Sequence, residues 1–489
     1  MPERATVKSR SEKSAEAVVA ETRRAEREGR SRDVSLGNAE HRRLEHAGGE
    51  VKRRGEATSR TPRDEARLAR HAQTNRAAES LLAQALERHN MAAAWKRVKA
   101  NGGSAGVDGR TVQQTGGDLV IEWADIRQAL LDGSYRPSPV RRVAIPKPGG
   151  GTRELGIPTV VDRLIQQALL QVLQPIIDPT FSEHSHGFRP GRSAHGALLE
   201  AQSYVQQGHT VVVDVDIEKF FDRVNHDILM DRLAKRIADK AVLKLIRRYL
   251  EAGILAQGVS QQRFEGTPQG GPLSPLLANV LLDEVDRELA RRGHKFVRYA
   301  DDCNVYARSM RAGLRVMAGL QRCYARLRLK VNETKSAVAL VWDRKFLGYC
   351  FWMTPQGEVR RAVAQTALHR YKQRIRQITR RQSGRSMLAI AQALRDYVPG
   401  WKEYFRLAET PKVWRELDKW LRHRLRAVQL KQWRHGTTTY AALRALGASA
   451  HVAQEVAGHG GRWWRHSATG LHWVLTVAYF DRLGVPRLC

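Results

Sequence analysis

The sequence predicts an α/β region over residues 76–350 followed by an all-helical, strongly basic region. Three observations carry this. Two strand-like runs, residues 211–217 and 295–307, each bring acids to a strand end. Helical patterns alternate with such runs up to Tyr349, as layered α/β domains require. From Gln365 onward, apolar residues recur at helical spacing and cations fill the positions between.

At 489 residues the chain exceeds what one core normally serves, so two to four domains are expected, and 42% hydrophobic residues suffice for them. A formal net charge of +33 costs self-repulsion in a compact state and makes sense opposite a polyanion. Nucleic acid leads, because Lys and Arg displace counterions from phosphates. An anionic membrane is the weaker candidate: no apolar run is long enough to span a bilayer and no apolar leader core follows Met1. Cys303, Cys323, Cys350 and Cys489 are scattered, which argues against a cysteine-rich zinc module or a disulfide framework. A reducing, cytoplasmic location is expected, with nucleoid association left open.

Residues 1–75 are rich in Arg, Glu, Ala, Ser and Gly, too poor in aliphatics to offset ordering entropy, and read as a basic disordered arm. Leu81, Leu82, Leu86, Ala94, Trp95 and Val98 mark a helical face that stops at Asn101-Gly102-Gly103. A second helix is expected from Leu119 to Leu131. Residues 141–158 read as a hairpin with a glycine tip; no Gly-Lys-Ser/Thr follows, so it is no phosphate loop, but it carries Lys147 and Arg153. Leu164 to Ile176 is helical, closed by Pro179. His184, His186 and His195 flank a glycine- and arginine-rich loop with no completed ligand set, so no metal site is read there.

The strand at Val211 alternates, placing Asp214 and Asp216 together on one face, so periodicity cannot choose between them. Phe220-Phe221-Asp222-Arg223-Val224 then turns into a helix, with Phe220 read as core. Residues 266–275 form a stiff Pro/Gly loop in which Gln269 offers amide donors and an acceptor, before a helix from Leu276 to Ala290. Tyr299-Ala300-Asp301-Asp302 sits at a hairpin turn. Alone, the acid pair is a solvated turn. With the acidic strand upstream, it is what two-metal phosphoryl transfer needs. A helix from Leu314 to Leu327, residues 329–335 and residues 346–349 close the α/β region. Beyond it, Leu368, Tyr371, Ile375 and Ile378 alternate with Arg370, Lys372, Arg374, Arg376, Arg380 and Arg381, and Val413, Leu417, Trp420, Leu421 and Leu425 repeat the pattern. Charge runs usually mark solvated faces; one-signed runs favour a phosphate-tracking face.

Taken in order, Gly187-Phe188-Arg189-Pro190-Gly191-Arg192-Ser193, Asp216-Ile217-Glu218-Lys219-Phe220-Phe221-Asp222, Thr267-Pro268-Gln269-Gly270-Gly271-Pro272, Tyr299-Ala300-Asp301-Asp302 and Phe346-Leu347-Gly348 form a specific set. From about Ala78 to Arg434 the chain resembles the group II intron-encoded reverse transcriptase/maturase family, of the bacterial type lacking an HNH endonuclease. The resemblance implies a right-hand polymerase fold with fingers and palm over 76–350, a thumb/maturase domain over 351–435 and a short C-terminal nucleic-acid-binding-like region over 436–489. It aligns the family acid onto Asp216, not Asp214, and puts Glu218 where most members carry Lys.

It further implies catalytic Asp216, Asp301 and Asp302, with two Mg²⁺ ions (Mn²⁺ as a substitute) held by Asp216, Asp301 and the Ile217 carbonyl. Lys147, Arg153, Phe221, Gln269 and Lys335 would bind the dNTP, Phe221 excluding a 2′-hydroxyl. Arg189, Arg192, Phe346, Leu347 and Gly348 would hold primer and template. Expected partners are group II intron RNA, an RNA template with a DNA primer or target DNA, and dNTPs, with no membrane. The tail lacks the paired cysteines of an HNH domain, so second-strand cleavage is not expected. The alternatives are a relative recruited to DNA repair or phage defence, and a non-enzymatic RNA clamp that promotes splicing.

Overall fold

The computed structural model describes residues 80–146, 152–256, 259–261, 265–267, 270–459 and 463–489. The N-terminal arm, Lys147 and Gln269 lie outside the described residues, as does the Arg153 side chain.

Two short helices, α1 (Leu81–Ala85) and α2 (Arg88–Asn101), replace the single one the apolar spacing suggests. Helix α3 (Val112–Leu131) starts a full two turns before Leu119. Gly116-Gly117 reads as a break in the sequence, but Thr111 and Gln114 close a capping box that nucleates the helix ahead of it. β1 (Val140–Pro146) and β2 (Thr152–Ile157) form the expected hairpin, Ile145 opposite Arg153. α4 (Val160–Ile177) and α5 (Ala194–Gln206) follow.

β3 (Val211–Val215) begins the palm. Past it come a single 3₁₀ turn at Phe220–Asp222, α6 (His226–Ala234), α7 (Lys240–Glu251), β4 (Ile254–Ala256), β5 (Val259–Gln261) and α8 (Ser274–Arg291). β6 (Lys295–Tyr299), β7 (Asp302–Ala307), α9 (Met310–Arg326) and β8 (Ala337–Leu340) complete it. The palm sheet has the order β6-β7-β3-β8, and β1, β2, β4 and β5 make a second sheet.

Alternation along β3 divides the palm. Val213 and Val215 join Phe296, Cys303 and Val305 in the main core with α4, α8 and α9. Val212, Val297 and Tyr306 face a separate cluster with α5. Asp214 shares the Val212 side, so the acids occupy the face turned away from α8 and α9.

β9 (Tyr349–Met353) and β10 (Val359–Val363) form a hairpin the sequence reading cut in two. Tyr349, Phe351, Val359 and Val363 pack with α5 and β6, so by packing the first region runs on to Val363. Helices α10 (Gln365–Ile378) and α12 (Pro411–Trp433) carry the basic pattern, with the charge-balanced α11 (Met387–Tyr404) between them. α13 (Gly436–Ala445), α14 (Ala450–Gly458), α15 (Trp463–Ala468) and α16 (Val477–Arg482) end the chain. Leu443, Val456, Leu471, Phe480 and Leu488 share one buried cluster with Tyr371, Leu394 and Leu421. Residues 436–489 therefore complete the thumb core, and the boundary expected at 435 falls inside one packed unit. No described helix is long and apolar enough to cross a membrane.

Candidate active site

The β6–β7 register pairs Tyr299 with Asp302, leaving Ala300-Asp301 as a two-residue loop. Ala300 has φ 60°, at the first loop position, where such turns favour glycine because a Cβ is crowded there. What holds it is Arg298, fully buried one turn residue away. Its Nη1 donates to the Ala300 carbonyl (2.9 Å) and to Asn279 Oδ1 (2.8 Å), its Nη2 to Ser185 Oγ (2.8 Å), and Nε and Nη2 together clamp Asp286. Burial disfavours the charge, yet the two-point contact with Asp286 holds the Arg298 guanidinium above its ordinary pKa. Asn279 passes the restraint on, donating to the Gly187 carbonyl (2.9 Å). Gly187 must be glycine: a Cβ there would run into the Ala300 backbone.

Asp216 stands just beyond β3, with its backbone clamped by residues 332–336. Its N–H donates to Ser336 Oγ (2.9 Å) and its carbonyl accepts from the Asn332 N–H (2.8 Å). The bridge between Ile217 and Val331 uses the N–H groups of Glu218 and Asn332, so neither bond consumes the Ile217 carbonyl. Lys335, two-thirds exposed, places Nζ 3.3 Å from Asp216 Oδ2. Asp214 is engaged elsewhere: Arg344 Nε donates to its Oδ2 at 2.9 Å and Nη2 contacts the same oxygen. Geometry thus separates two acids that periodicity could not.

The carboxylates act on one another. Asp302 keeps an exposed edge, but the protein around it, then Asp301, Asp214 and Asp216, push its carboxyl up to about 7. Burial raises Asp214 as well, against the pull of Arg344. Four carboxylates drawn together, with Arg344 on Asp214 and Lys335 beside Asp216, attract cations by their charge. No group of three or more His, Cys, Asp or Glu among the described residues forms a metal cage by itself. Mg²⁺ is normally held by one or two carboxylates plus substrate phosphates, so Asp216, Asp301 and the Ile217 carbonyl fit as donors.

Around these acids the remaining expected residues divide. Phe221 is half-buried, edge-on to buried Phe220 at 5.0 Å, and its carbonyl accepts from the Thr267 N–H (2.7 Å). Gly270, beside Gln269, lies against the Gly156 carbonyl of β2, so the Pro/Gly loop and the β1–β2 hairpin abut. Arg192 is exposed and uses one donor on the Glu183 carbonyl.

Two expectations are corrected. Arg189 is buried, and its five N–H groups go to Asp178 (carboxylate and carbonyl) and to the carbonyls of Ser182 and Ser185, leaving no donor for a nucleic-acid phosphate. Phe346 is only 5% exposed and packs inside the cluster with Tyr349 and Phe405, so its ring cannot reach a primer. Leu347 (φ 51°) and Gly348 are the accessible part of that turn. The Leu347 carbonyl accepts from the Tyr404 hydroxyl (2.9 Å), and the Tyr404 carbonyl accepts from His195 Nε2 (2.7 Å) and the Tyr349 hydroxyl.

Sequence reasoning missed Arg298, Asn279, Ser336, Arg344 and Tyr404. The Tyr404 phenol is pushed up to about 12 by burial and then by Tyr299 and Asp302, which places it at the acidic hairpin from the thumb side. It also missed Glu200 of α5, the carboxylate that His184 and His186 share in the fold. His186 Nε2 (2.6 Å), His184 Nδ1 and the Tyr204 hydroxyl (2.6 Å) all meet it; burial opposes its charge, but these bonds bring its pKa down to about 2. One signal was in the sequence: Arg298 directly precedes the acidic turn inside an apolar strand, where a charge needs a buried partner.

The profile of the reverse transcriptase (RNA-dependent DNA polymerase) family matches residues 145–351, and that of the group II intron maturase-specific domain matches residues 368–447. The group II intron-encoded protein LtrA of Lactococcus lactis subsp. cremoris is 42% identical over 174 residues, 35% of this chain and 29% of that protein. Protein YkfC of Escherichia coli K12 is 39% identical over 191 residues, 38% of this chain and 50% of that protein. The chain thus spans half or less of the length of these curated relatives. Among solved structures, a chain of a partial Cas6-RT-Cas1–Cas2 complex is 24% identical with a TM-score of 0.34, covering 50% of this chain and 42% of that one. The chain thus carries a reverse transcriptase domain followed by a group II intron maturase-specific domain, and it is similar to group II intron-encoded proteins.

Proposed function

We propose that the protein is an RNA-directed DNA polymerase that also binds its intron RNA as a maturase, promoting splicing and intron mobility by target-primed reverse transcription. The observation that carries the polymerase reading is the convergence of Asp216 with the Asp301-Asp302 turn at one end of the palm sheet.

In the reaction, a primer 3′-hydroxyl oxygen forms a bond to the dNTP α-phosphorus, loses its proton, and pyrophosphate leaves. Charge on the phosphoryl oxygens dominates the transition state, so positioning and cations supply most of the catalysis. Two Mg²⁺ ions, when bound, supply charge neutralisation on the attacking and leaving oxygens. The chain's own residues do the rest. Arg298 and Asn279 fix the turn that carries Asp301. Ser336 and Asn332 fix Asp216, and Lys335 offers a mobile cation beside it. Lys147, Arg153 and Gln269 are proposed to close on the triphosphate and base, because the hairpin and loop that carry them abut. Leu347 and Gly348, tied to the thumb through Tyr404, are proposed to support the primer end.

Phe221 is proposed as the sugar gate. Phe221→Val should therefore raise ribonucleotide incorporation about 10-fold or more relative to dNTPs, since the discrimination is one steric contact worth about 1–3 kcal/mol. Competition assays with paired dNTP and NTP measure it, and unchanged selectivity would remove the gate from Phe221. For the maturase reading, sequencing the RNA that copurifies with the protein should yield one structured intron species. A broad sample of cellular RNA would favour a relative recruited to another task.

A further inference from the structure

Helix α9 lies on the face of the palm sheet opposite the carboxylates. Gly313 allows the close approach: a Cβ there would sit 2.5 Å from Val338 Cγ1 and 3.2 Å from Val211 Cγ1. Val316, Leu320, Cys323 and Tyr324 are buried beneath the helix, which fixes its roll. The outward side then carries Arg311, Arg315, Arg322 and Arg326, all exposed. Their spacings of four, seven and four residues keep them within about 60° around the axis, in a stripe about 22 Å long.

What sets this stripe apart is the absence of acid. The helix contains no Asp or Glu. Among the described residues Arg311, Arg315 and Arg322 make no ion pair, and Arg326 Nη2 meets only the Cys323 sulfur (3.4 Å). Neighbouring palm helices balance their cations: Arg232 with Glu284, Arg236 and Arg287 with Asp283, and Arg291 and Arg292 with Glu288. At one end of the stripe, Arg322 and Arg326 join Arg292 around an open cavity of about 530 Å³. Arg292 is held by Glu288, but Arg322 and Arg326 have no carboxylate partner among the described residues, and arginine can contact a phosphate through two N–H groups at once.

We propose that this stripe is a second RNA-docking surface, on the back of the palm, for the phosphate backbone of a folded RNA. A short template held in the groove cannot pass through the sheet to reach it, whereas a bulky folded RNA can wrap from one side to the other and gain from both contacts. The proposal takes its RNA from the function proposed above, but its test measures binding without DNA synthesis, so the two fail separately.

The test compares the full chain with a variant carrying Arg311→Gln, Arg315→Gln, Arg322→Gln and Arg326→Gln, and with a second carrying Lys at all four positions. Binding of a folded group II intron transcript is titrated with salt, and extension of a short primer–template is measured alongside. The Gln variant should lose about 3 from the slope of log K against log salt, and at least about 10-fold in affinity near physiological salt, with short-template extension unchanged. The Lys variant should recover most of the slope, which excludes misfolding. An unchanged slope and affinity would overturn the proposal. So would an equal loss on the short primer–template, or a loss confined to double-stranded DNA.

Discussion

Asp301→Ala is expected to lower dNTP incorporation on a primed RNA template by about 10³-fold or more. Removing a carboxylate that holds a catalytic cation forfeits several kcal/mol of transition-state stabilisation, and about 1.4 kcal/mol is tenfold in rate. The neighbouring acids sharpen the expectation. Asp302 belongs to β7, paired with Tyr299, and not to the two-residue loop, so it does not stand in the place of Asp301. Asp214 is held by Arg344 on the same sheet face. Asp214→Asn should accordingly cost far less than Asp301→Ala, and equal losses would place the metal-holding acid wrongly. The Asp301 variant should also keep intron RNA binding and splicing, because α10–α12 share none of the catalytic acids. Loss of splicing in a folded Asp301 variant would mean that the two functions are not separable.

Arg298→Met should be the most damaging change outside the acids. It leaves Asp286 buried without its cation, where burial already raises its pKa, and breaking such a pair from one side costs about 3–5 kcal/mol. It also strips the donor from the Ala300 carbonyl, freeing a loop whose positive φ is otherwise strained. The two effects can be divided. Arg298→Met with Asp286→Leu removes both buried charges together, and should recover part of the stability in urea unfolding, Ser185 and Asn279 still lacking their donor. Incorporation should stay depressed, because nothing then fixes the turn. If the double variant copies RNA at the wild-type rate, Arg298 stabilises the palm without positioning Asp301.

The sequence carried the strands, the acids and their order, because period-two alternation and motif spacing survive in one dimension. It could not carry backbone strain. Phe188, Lys219, Ala300 and Leu347 all have positive φ without being glycine, and each lies in one of the site motifs. Propensity argues against every one of them; tertiary bonds such as those of Arg298 and Tyr404 overrule it. Long-range satisfaction was equally hidden. Arg189 looks like a phosphate ligand in a basic loop, until five internal acceptors account for its donors. Asp214 and Asp216 became distinguishable only when Arg344, 130 residues from Asp214, arrived beside one of them. The thumb boundary moved for a related reason: residues 436–489 read as a separate nucleic-acid-binding-like region, but Leu443, Phe480 and Leu488 complete a core begun by Tyr371 and Leu421.

The most direct measurement of the central claim is extension of a DNA primer annealed to RNA, by the wild-type protein and Asp301→Ala side by side, with dNTPs and Mg²⁺. The account predicts a full-length DNA copy from the wild type, none with chelator, and almost none from the variant while both bind the RNA equally. Wild-type protein that binds the primed RNA but adds no nucleotide, or an Asp301→Ala protein that copies it at the wild-type rate, would contradict it.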